Sequence, residues 1–449
     1  MRQYSATTWR DGTGDDKGEA ITTADICAAR ANRIMATADP VTRRHALIAV
    51  EICGIDEQIA SSADQESTIL SAAAWQLLSK FECESFLSFS EHGNLLIFIP
   101  QIANLWETAK LAQKLLEEPL TMQAHDGREL NFCLRAGMSA APHHGTEFRT
   151  LVANAELALF DLRRRGQCGL VFYEPHYRRA ATERLTLRQE LHVAERERQF
   201  TLHYQPQVDL RTGCLVGVEA LLRWNHPTLG RVGPQHFLDE LESLPIAARV
   251  GAWVIDEAVR QAARWAVDGH ALRTAVNIFP AQLSDALLDT VGAALEAHDL
   301  PPEMLEVEIT ERLRCDEMSH AEAVIRGLRQ LGVGVALDDF GTGFATLNAI
   351  RSFDVSRLKI DKSFVAGMLE SRRDAAIVSG LLDLGRETGI AVIAEGVERH
   401  EQLMALTVNG CDEGQGALFG MPMEPQLINA IIAEGVMPIA TTYAARLSI

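Results

Sequence analysis

From Thr201 onward one pattern repeats: a short apolar run, an amphipathic stretch, then another short apolar run. The runs read as strands at Leu202–Gln207, Val216–Leu222, Thr274–Ile278, Leu305–Thr310, Val333–Asp338, Arg357–Ile360, Ala391–Ala394 and one near Gly416–Phe419. Helices fill the gaps. Val254, Ala258, Ala262 and Trp265 share a face of one, and Val324, Leu328 and Leu331 a face of another. Strand and helix alternating over about 240 residues predict an α/β fold of the (β/α)₈ barrel type. In such barrels the chemistry sits at the carboxyl ends of the strands.

Those ends are polar and mostly anionic. Val218 leads into Glu219, Val276 into Asn277, Val307 into Glu308, Leu337 into Asp338 and Asp339, Leu358 into Lys359, Ala394 into Glu395 and Gly414 into Gln415. One strand-end carboxylate is usually solvated, and Asn277 alone reads equally well as a cap. Many such ends gathered by barrel closure predict a single site. Adjacent residues on a straight strand point to opposite faces, but where a strand ends and bends, Asp338 and Asp339 can reach one ion. Gly341 and Gly343 allow a tight, movable loop beyond them. Buried like charges need a cation beside them. Glu, Asp and Asn oxygens suit hard divalent ions, Mg²⁺ or Mn²⁺ rather than zinc. A two-metal site of this kind serves phosphodiester hydrolysis. Lys359 would hold the attacking water or a phosphate oxygen, and Glu395 would take that water's proton.

At 449 residues, 47% hydrophobic and 23% charged, the chain predicts a soluble protein of two or three domains. No apolar run approaches the roughly 20 residues of a membrane span. The opening Met1-Arg2-Gln3-Tyr4-Ser5 lacks the build of a secretory signal, so a cytoplasmic location is expected. A formal charge of −19 argues against DNA or RNA as a partner, and an anionic ligand would need metal ions or a few well-placed cations. The cysteines, Cys27, Cys53, Cys83, Cys133, Cys168, Cys214, Cys315 and Cys411, form no CxxC pair. Their scatter predicts neither a zinc site nor a dense disulfide framework, and most are expected to be small buried hydrophobes.

Before the barrel, residues 1–36 read as a mobile, Gly/Asp-rich tail followed by one helix. Residues 37–175 mix strands (Ala46–Val50, Asn94–Ile99) with helices (Ser71–Phe81, Ala109–Leu116, Leu151–Leu162) and a strand pair around the Asp126-Gly127 turn. That order predicts an α+β domain of about 140 residues. Residues 176–200 are charge-rich, with Leu185, Leu187 and Leu191 spaced through them. They form a helical connector, either simply solvated or a signalling helix that sets the angle between domains. The barrel is expected over 201–437 and a C-terminal tail over 438–449.

The N-terminal order resembles the GGDEF (diguanylate cyclase) fold. The place of that family's signature reads Glu91-His92-Gly93-Asn94-Leu95, the positions of its metal-binding aspartates fall near Glu51 and Cys53, and its RxxD falls at Cys83 and Phe86. The resemblance implies a degenerate, catalytically inactive GGDEF-like domain with a regulatory role, open to a protein partner or to retained GTP binding. From Leu202 to Pro422 the chain is similar to the EAL family of cyclic di-GMP phosphodiesterases. The matching motifs, in order, are Tyr204-Gln205-Pro206, Glu219-Ala220-Leu221, Asn225-His226-Pro227, Val276-Asn277, Glu308-Ile309-Thr310-Glu311, Asp338 to Gly343, Leu358-Lys359-Ile360-Asp361, Ala394-Glu395-Gly396-Val397-Glu398 and Gln415-Gly416. This implies a TIM-like barrel with one strand reversed, opening cyclic di-GMP to linear pGpG. It implies metal ligands at Glu219, Asn277, Glu308, Asp338 and Asp339, and a water-activating pair in Lys359 and Glu395. Glu311 would steady the Asp-rich loop, and Gln205, Arg223, Gln415 and Asp361 would contact substrate. A homodimer through the barrel is implied by the same analogy. Three departures stand out: Phe279 where a serine is usual, Ala417 where an aromatic is common, and Leu244-Pro245 in place of a Ser-Gly turn. Phe279, beside a ligand position, raises the question of whether Asn277 is tilted.

Three functional classes are open to such a chain: an active phosphodiesterase, a non-catalytic cyclic di-GMP receptor, and an interaction scaffold. A complete ligand set favours the first.

Overall fold

In the computed structural model, His45–Cys53 forms β1, the middle of a sheet that organises the first half of the chain. The structure describes residues 24–37, 44–54, 85–102, 105–117, 120–123, 129–310, 318–341 and 350–434. The expected N- and C-terminal tails, the helix Ser71–Phe81, Glu311 and the loop from Thr342 to Phe344 lie outside the described residues. The chain divides into two units, residues 1–185 and 186–449.

In the first unit β2 (Phe86–Phe89), β3 (Leu95–Ile99), β4 (Leu120–Gln123), β5 (Glu129–Ala141) and β6 (Gly169–Phe172) join β1 in the order β2-β3-β1-β5-β4, with β6 beside β5. Among the described strands of this unit, β6 pairs in parallel with β5 and the other pairs are antiparallel. Period-2 alternation divides β1 between two cores. Ala46, Ile48 and Val50 face one core with Ile97, Ile99, Ala109 and Ala112, while Leu47 and Ala49 face another with Phe98, Leu151 and Ala155. The helix Phe148–Arg164 lies against β5 so closely that a side chain at Gly137 would collide with the Ala155 carbonyl. Its predicted buried face, Leu151, Ala155, Ala158 and Leu162, is buried as expected.

The second unit is a closed barrel. Its strands are β7 (Phe200–Asp209), β8 (Leu215–His226), a short flanking β9 (Gly230–Val232), β10 (Arg273–Asn277), β11 (Leu305–Thr310), β12 (Gly334–Phe340), β13 (Arg357–Ile360), β14 (Ala391–Ala394) and β15 (Glu413–Gln415). Pairing runs β10 to β15, then β7 and β8, and a β10–β8 ladder closes the ring of eight. β7 is antiparallel to both neighbours, and every other pair in the ring is parallel. The alternation of β-structure separates two environments. Val218, Ala220, Val276, Val307, Ile309, Val335, Leu337, Leu358, Ile360, Val392 and Ala394 face the surrounding helices and form the core with Val254, Ala258, Ala262 and Trp265. The intervening residues face the barrel axis, and several of these are charged.

Some boundaries differ from expectation. The last barrel strand is Glu413–Gln415, and Gly416–Phe419 is a turn. A side chain at Gly416 would collide with the Val397 backbone, so the chain bends away there. Leu331 lies past the end of the helix Met318–Gln330 and is partly exposed, so it does not share the buried face of Val324 and Leu328. Leu244-Pro245 falls between the short helix Leu238–Glu242 and the helix Ala247–Val267, where Pro can interrupt no helical hydrogen bond. The connector is one helix, Pro175–Arg196, and its second half belongs to the barrel unit. There Leu191 and Ala194 enter the core, Glu195 pairs with Arg249 at 2.7 Å, and Arg188 pairs with Glu240. The cysteines also depart from expectation. Among the described residues Cys27 and Cys411 are buried, whereas Cys133 and Cys168 are exposed and form a disulfide. Residues 35 apart in sequence meet because β6 returns beside β5, which spacing alone does not reveal. No described helix is long and apolar enough to cross a membrane.

Candidate active site

Lys359 occupies the barrel axis on β13 and is 1% exposed. Its Nζ lies 2.7 Å from Glu308, 2.7 Å from Glu395, 3.2 Å from Asp338 and 3.7 Å from Glu219. These carboxylates come from β11, the end of β14, β12 and β8, so barrel closure is what gathers them. Glu219 is held on both oxygens: Asn277 donates to one at 2.7 Å, and the Gln415 amide donates to the other. Gln415 also donates to Gln205 at 3.1 Å, and Gln205 donates to the Gly420 carbonyl at 3.0 Å. Seven of the expected residues thus form one connected array with Lys359 at its centre.

Asp339 joins by a local distortion. β12 continues to Phe340 instead of ending at Asp338, its register against β13 shifts between Leu337 and Phe340, and Asp339 takes φ 55°. That left-handed backbone is costly for a residue with a Cβ, and such outliers concentrate at functional sites. The Asp339 N–H donates to the Asp338 carboxylate at 2.8 Å. As a result ligand oxygens of Asp338, Asp339 and Glu395 all lie within 4.8 Å of one another.

The electrostatics are those of a cation site. Four carboxylates surround one ammonium. Burial pushes the Lys359 ammonium down, but Asp338, Glu219, Glu308 and Glu395 together hold it well above the usual lysine range. Burial raises Glu308 well above the carboxylate range, with Glu219 and Asp338 adding to the effect against Lys359. Burial likewise lifts Glu395 to about 8. Glu219 is also pushed up by burial, but Lys359 and the amides of Gln415 and Asn277 outweigh this and hold it below the usual value. The Glu308 Oε1 is buried and has no hydrogen-bond partner. A buried, unpartnered carboxylate oxygen among crowded acids can accept added positive charge, and an all-oxygen donor set fits a hard divalent ion.

Two expected residues have other partners. Asp361 caps the helix Lys362–Gly367, accepting from the Ser363 N–H at 2.9 Å and from its hydroxyl. Arg223 is half-buried and donates to the Leu222 carbonyl at 2.8 Å; burial pulls its pKa down while Glu219 pulls it up. Phe279 is buried in the core, and its N–H donates to Gln282 at 3.1 Å, so it leaves Asn277 bonded to Glu219.

Sequence reading missed a second polar layer below the site. Arg273 and Arg357 pair with Glu306 and Glu413, all turned toward the axis. The fully buried Gln207 joins the layers, accepting from Arg273 at 2.8 Å and donating to Gln415 at 2.9 Å. The signal was present: Gln207, Arg357 and Glu306 each lie two residues from a site residue, on the same face of a strand.

The EAL domain family matches residues 186–422, over half of the chain. The bifunctional diguanylate cyclase/cyclic di-GMP phosphodiesterase MucR of Pseudomonas aeruginosa is 37% identical over 332 residues, covering 73% of this chain and 48% of its own length. The cyclic di-GMP phosphodiesterase NbdA of the same organism is 35% identical over 70% of this chain and 40% of its own. The chain thus spans less than half the length of these curated relatives. Among solved structures, the PaMucR phosphodiesterase in complex with c-di-GMP covers 54% of this chain and 99% of its own at 40% identity, with a TM-score of 0.52. The EAL enzyme Bd1971, bound to cAMP and cyclic di-GMP, covers 70% and 92% at 26% identity, with a TM-score of 0.55. The reversed strand, the acidic strand tips around Lys359 and these matches lead to one assignment: the chain belongs to the EAL domain family.

Proposed function

We propose that this chain hydrolyses cyclic di-GMP to linear pGpG in a metal-dependent reaction, under the control of an N-terminal GGDEF-like domain that has no cyclase chemistry. The observation that carries the reading is Lys359, a sealed ammonium within 3.7 Å of carboxylates from four separate segments, in a family with relatives named for this activity. Glu219, Asn277, Glu308, Asp338 and Asp339 would hold two divalent ions, Mg²⁺ or Mn²⁺. Bound there, such ions lend positive charge to the phosphodiester and acidify water. The remaining work falls to the chain itself. The Lys359 ammonium, kept charged by the surrounding acids, orients the attacking water or a phosphate oxygen. Glu395, 2.7 Å from that ammonium, accepts the water's proton in its ionised form. Gln205 and Gln415 contact substrate, Gln415 with Asn277 also fixing Glu219, and the planar Arg223 fork grips a phosphate. Asp361 serves the substrate pocket through the helix it caps, and Glu311 steadies the loop after Asp339.

For the N-terminal unit, an antiparallel sheet flanked by helices supports the GGDEF-like reading, and Glu91-His92-Gly93-Asn94-Leu95 supports the loss of cyclase activity. In this reading the domain answers to a protein partner or to GTP, and barrels of two chains pair as a homodimer.

The test is turnover. Purified protein with Mg²⁺ or Mn²⁺ converts cyclic di-GMP to pGpG, followed by chromatography, and Glu219→Ala lowers the rate by at least about 100-fold. Tight binding without turnover would replace this reading with a receptor, and absence of binding with a scaffold.

A further inference from the structure

In the N-terminal unit β1 and β5 run antiparallel with Cys53 directly opposite Cys133. On the other side of β5, β6 begins with Gly169 opposite Arg135, which brings Cys168 beside Cys133. Cys133 and Cys168 are bonded, with their Cα atoms 6.4 Å apart. The sulfurs of all three cysteines lie within 4.8 Å of one another. Directly opposed residues of an antiparallel pair have Cα atoms about 4.5–5.5 Å apart, inside the range a disulfide spans. Cys133 therefore has two partners within bridging reach, on two different strands.

The surroundings set the pace of thiol chemistry. Cys133 and Cys168 are exposed, and Cys53 is half-buried beneath them. Arg135 and Arg163 lie beside it, each also paired with Glu51, at 3.6 and 2.9 Å. Burial pushes the Cys53 thiol up, while the two guanidinium groups pull it down against Glu51. The reactive thiolate is thus a minor form, and attack from Cys53 is slow.

We propose that Cys53, Cys133 and Cys168 form a thiol–disulfide exchange site, in which Cys53 displaces Cys168 from Cys133. Cys53 gives its proton to solvent and its sulfur bonds to the Cys133 sulfur. The Cys133–Cys168 bond breaks, its electron pair leaves on the Cys168 sulfur, and that thiolate takes a proton from water. One disulfide and one thiol stand on each side, so no external oxidant or reductant is required. The two bonds fasten different things. Cys53–Cys133 joins strands already paired over nine residues of register. Cys133–Cys168 fastens the start of β6, a half-buried strand of four residues that runs through Tyr173 and Glu174 into the helix Pro175–Arg196. Exchange thus loosens the strand that feeds the connector and presents Cys168 as a free surface thiol for mixed-disulfide formation. The alternative occupant, a thiophilic metal ion, is less favoured. Cys133 and Cys168 are bonded to each other, and the cluster offers three ligands where a closed structural zinc site takes four.

The experiment is disulfide mapping of the full chain, isolated without reductant, acid-quenched after increasing times at neutral pH, alkylated and analysed by mass spectrometry. The expected result is both Cys133–Cys168 and Cys53–Cys133 linkages approaching a fixed ratio, with Cys53→Ser losing the second. Hydrogen exchange should then be faster in β6 for Cys168→Ser than for Cys53→Ser. The map of the unmutated chain decides even where a serine variant fails to fold. Cys133–Cys168 alone at every time, with Cys53 fully alkylated, would overturn the proposal. So would three thiols that resist alkylation until bound Zn²⁺ is chelated, which would make the cluster a metal site.

Discussion

Lys359 is the residue on which the site's charge balance turns. With its ammonium in place, the acids around it are partly compensated, and without it they face one another across the barrel axis with nothing between. Breaking a buried ion pair by removing one partner typically costs about 3–5 kcal/mol. Lys359→Met should therefore lower the thermal midpoint of the barrel unit, and Mg²⁺ or Mn²⁺ should recover more of that midpoint in the variant than it adds to the unmutated protein. Equal shifts in both would mean the acids do not bind the ion together. The residue scale is also where sequence reading reached furthest. Asn277, Glu308, Asp338, Lys359, Glu395 and Gln415 each follow an apolar or small residue in the last part of a strand, Glu219 lies inside the longer β8, and the structure brings all of them together. Asp339 was legible as a candidate, but its left-handed turn was not. Nothing in Asp338-Asp339-Phe340 distinguishes a bulged strand from a finished one.

Among elements, the helix Ala247–Val267 positions the site at one remove. Gly251 leaves room for the Gln282 side chain, which accepts from the Phe279 N–H two residues beyond Asn277. A methyl group at Gly251 would collide with the Gln282 amide. Gly251→Ala should then destabilise the barrel by about 1–3 kcal/mol by overpacking, although alanine is the better helix former. Adding Gln282→Ala should relieve part of that loss in denaturant unfolding. In the first unit, His45 at the start of β1 and His144 after β5 both accept backbone N–H bonds through Nδ1, from Gln101 at 3.1 Å and Ala140 at 3.0 Å. Burial holds both imidazoles below the ordinary value of 6.5, with His143 adding to the effect at His144. A ring whose folded pKa is depressed takes up its proton on unfolding. Its contribution is whole above pH 6.5 and is lost as pH falls through the folded value. Thermal unfolding should show the N-terminal unit weakening below about pH 6.5, with a shallower slope in His45→Gln.

At the scale of the whole molecule, two units share one chain, and the array around Lys359 lies in the second. The full chain should make no cyclic di-GMP from GTP and Mg²⁺ under conditions in which it degrades cyclic di-GMP. Radiolabelled GTP appearing as the cyclic dinucleotide would show that the N-terminal unit is a working cyclase. The layered barrel interior belongs to this scale too. Gln207 passes the orientation of Arg273 to Gln415 and so to Glu219, a line of contacts that crosses four strands.

By itself the sequence determined which side of each strand is apolar and which residues crown the strands, because alternation and strand-end chemistry are written in neighbouring positions. It also determined seven of the eight barrel strands, the buried faces of the helices Phe148–Arg164 and Ala247–Val267, and the membership of the acidic array. Only the tertiary structure decided that β15 stops before Gly416, where the Val397 backbone comes too close for a side chain, and that Asp339 turns to meet Glu395. It alone decided that Arg273, Arg357, Glu306 and Glu413 neutralise one another beneath the site, and that Cys53, Cys133 and Cys168 share a corner. Each of these depends on the distance between segments far apart in the chain. Such distances are set by ring closure and sheet order, and neither leaves a mark on adjacent residues.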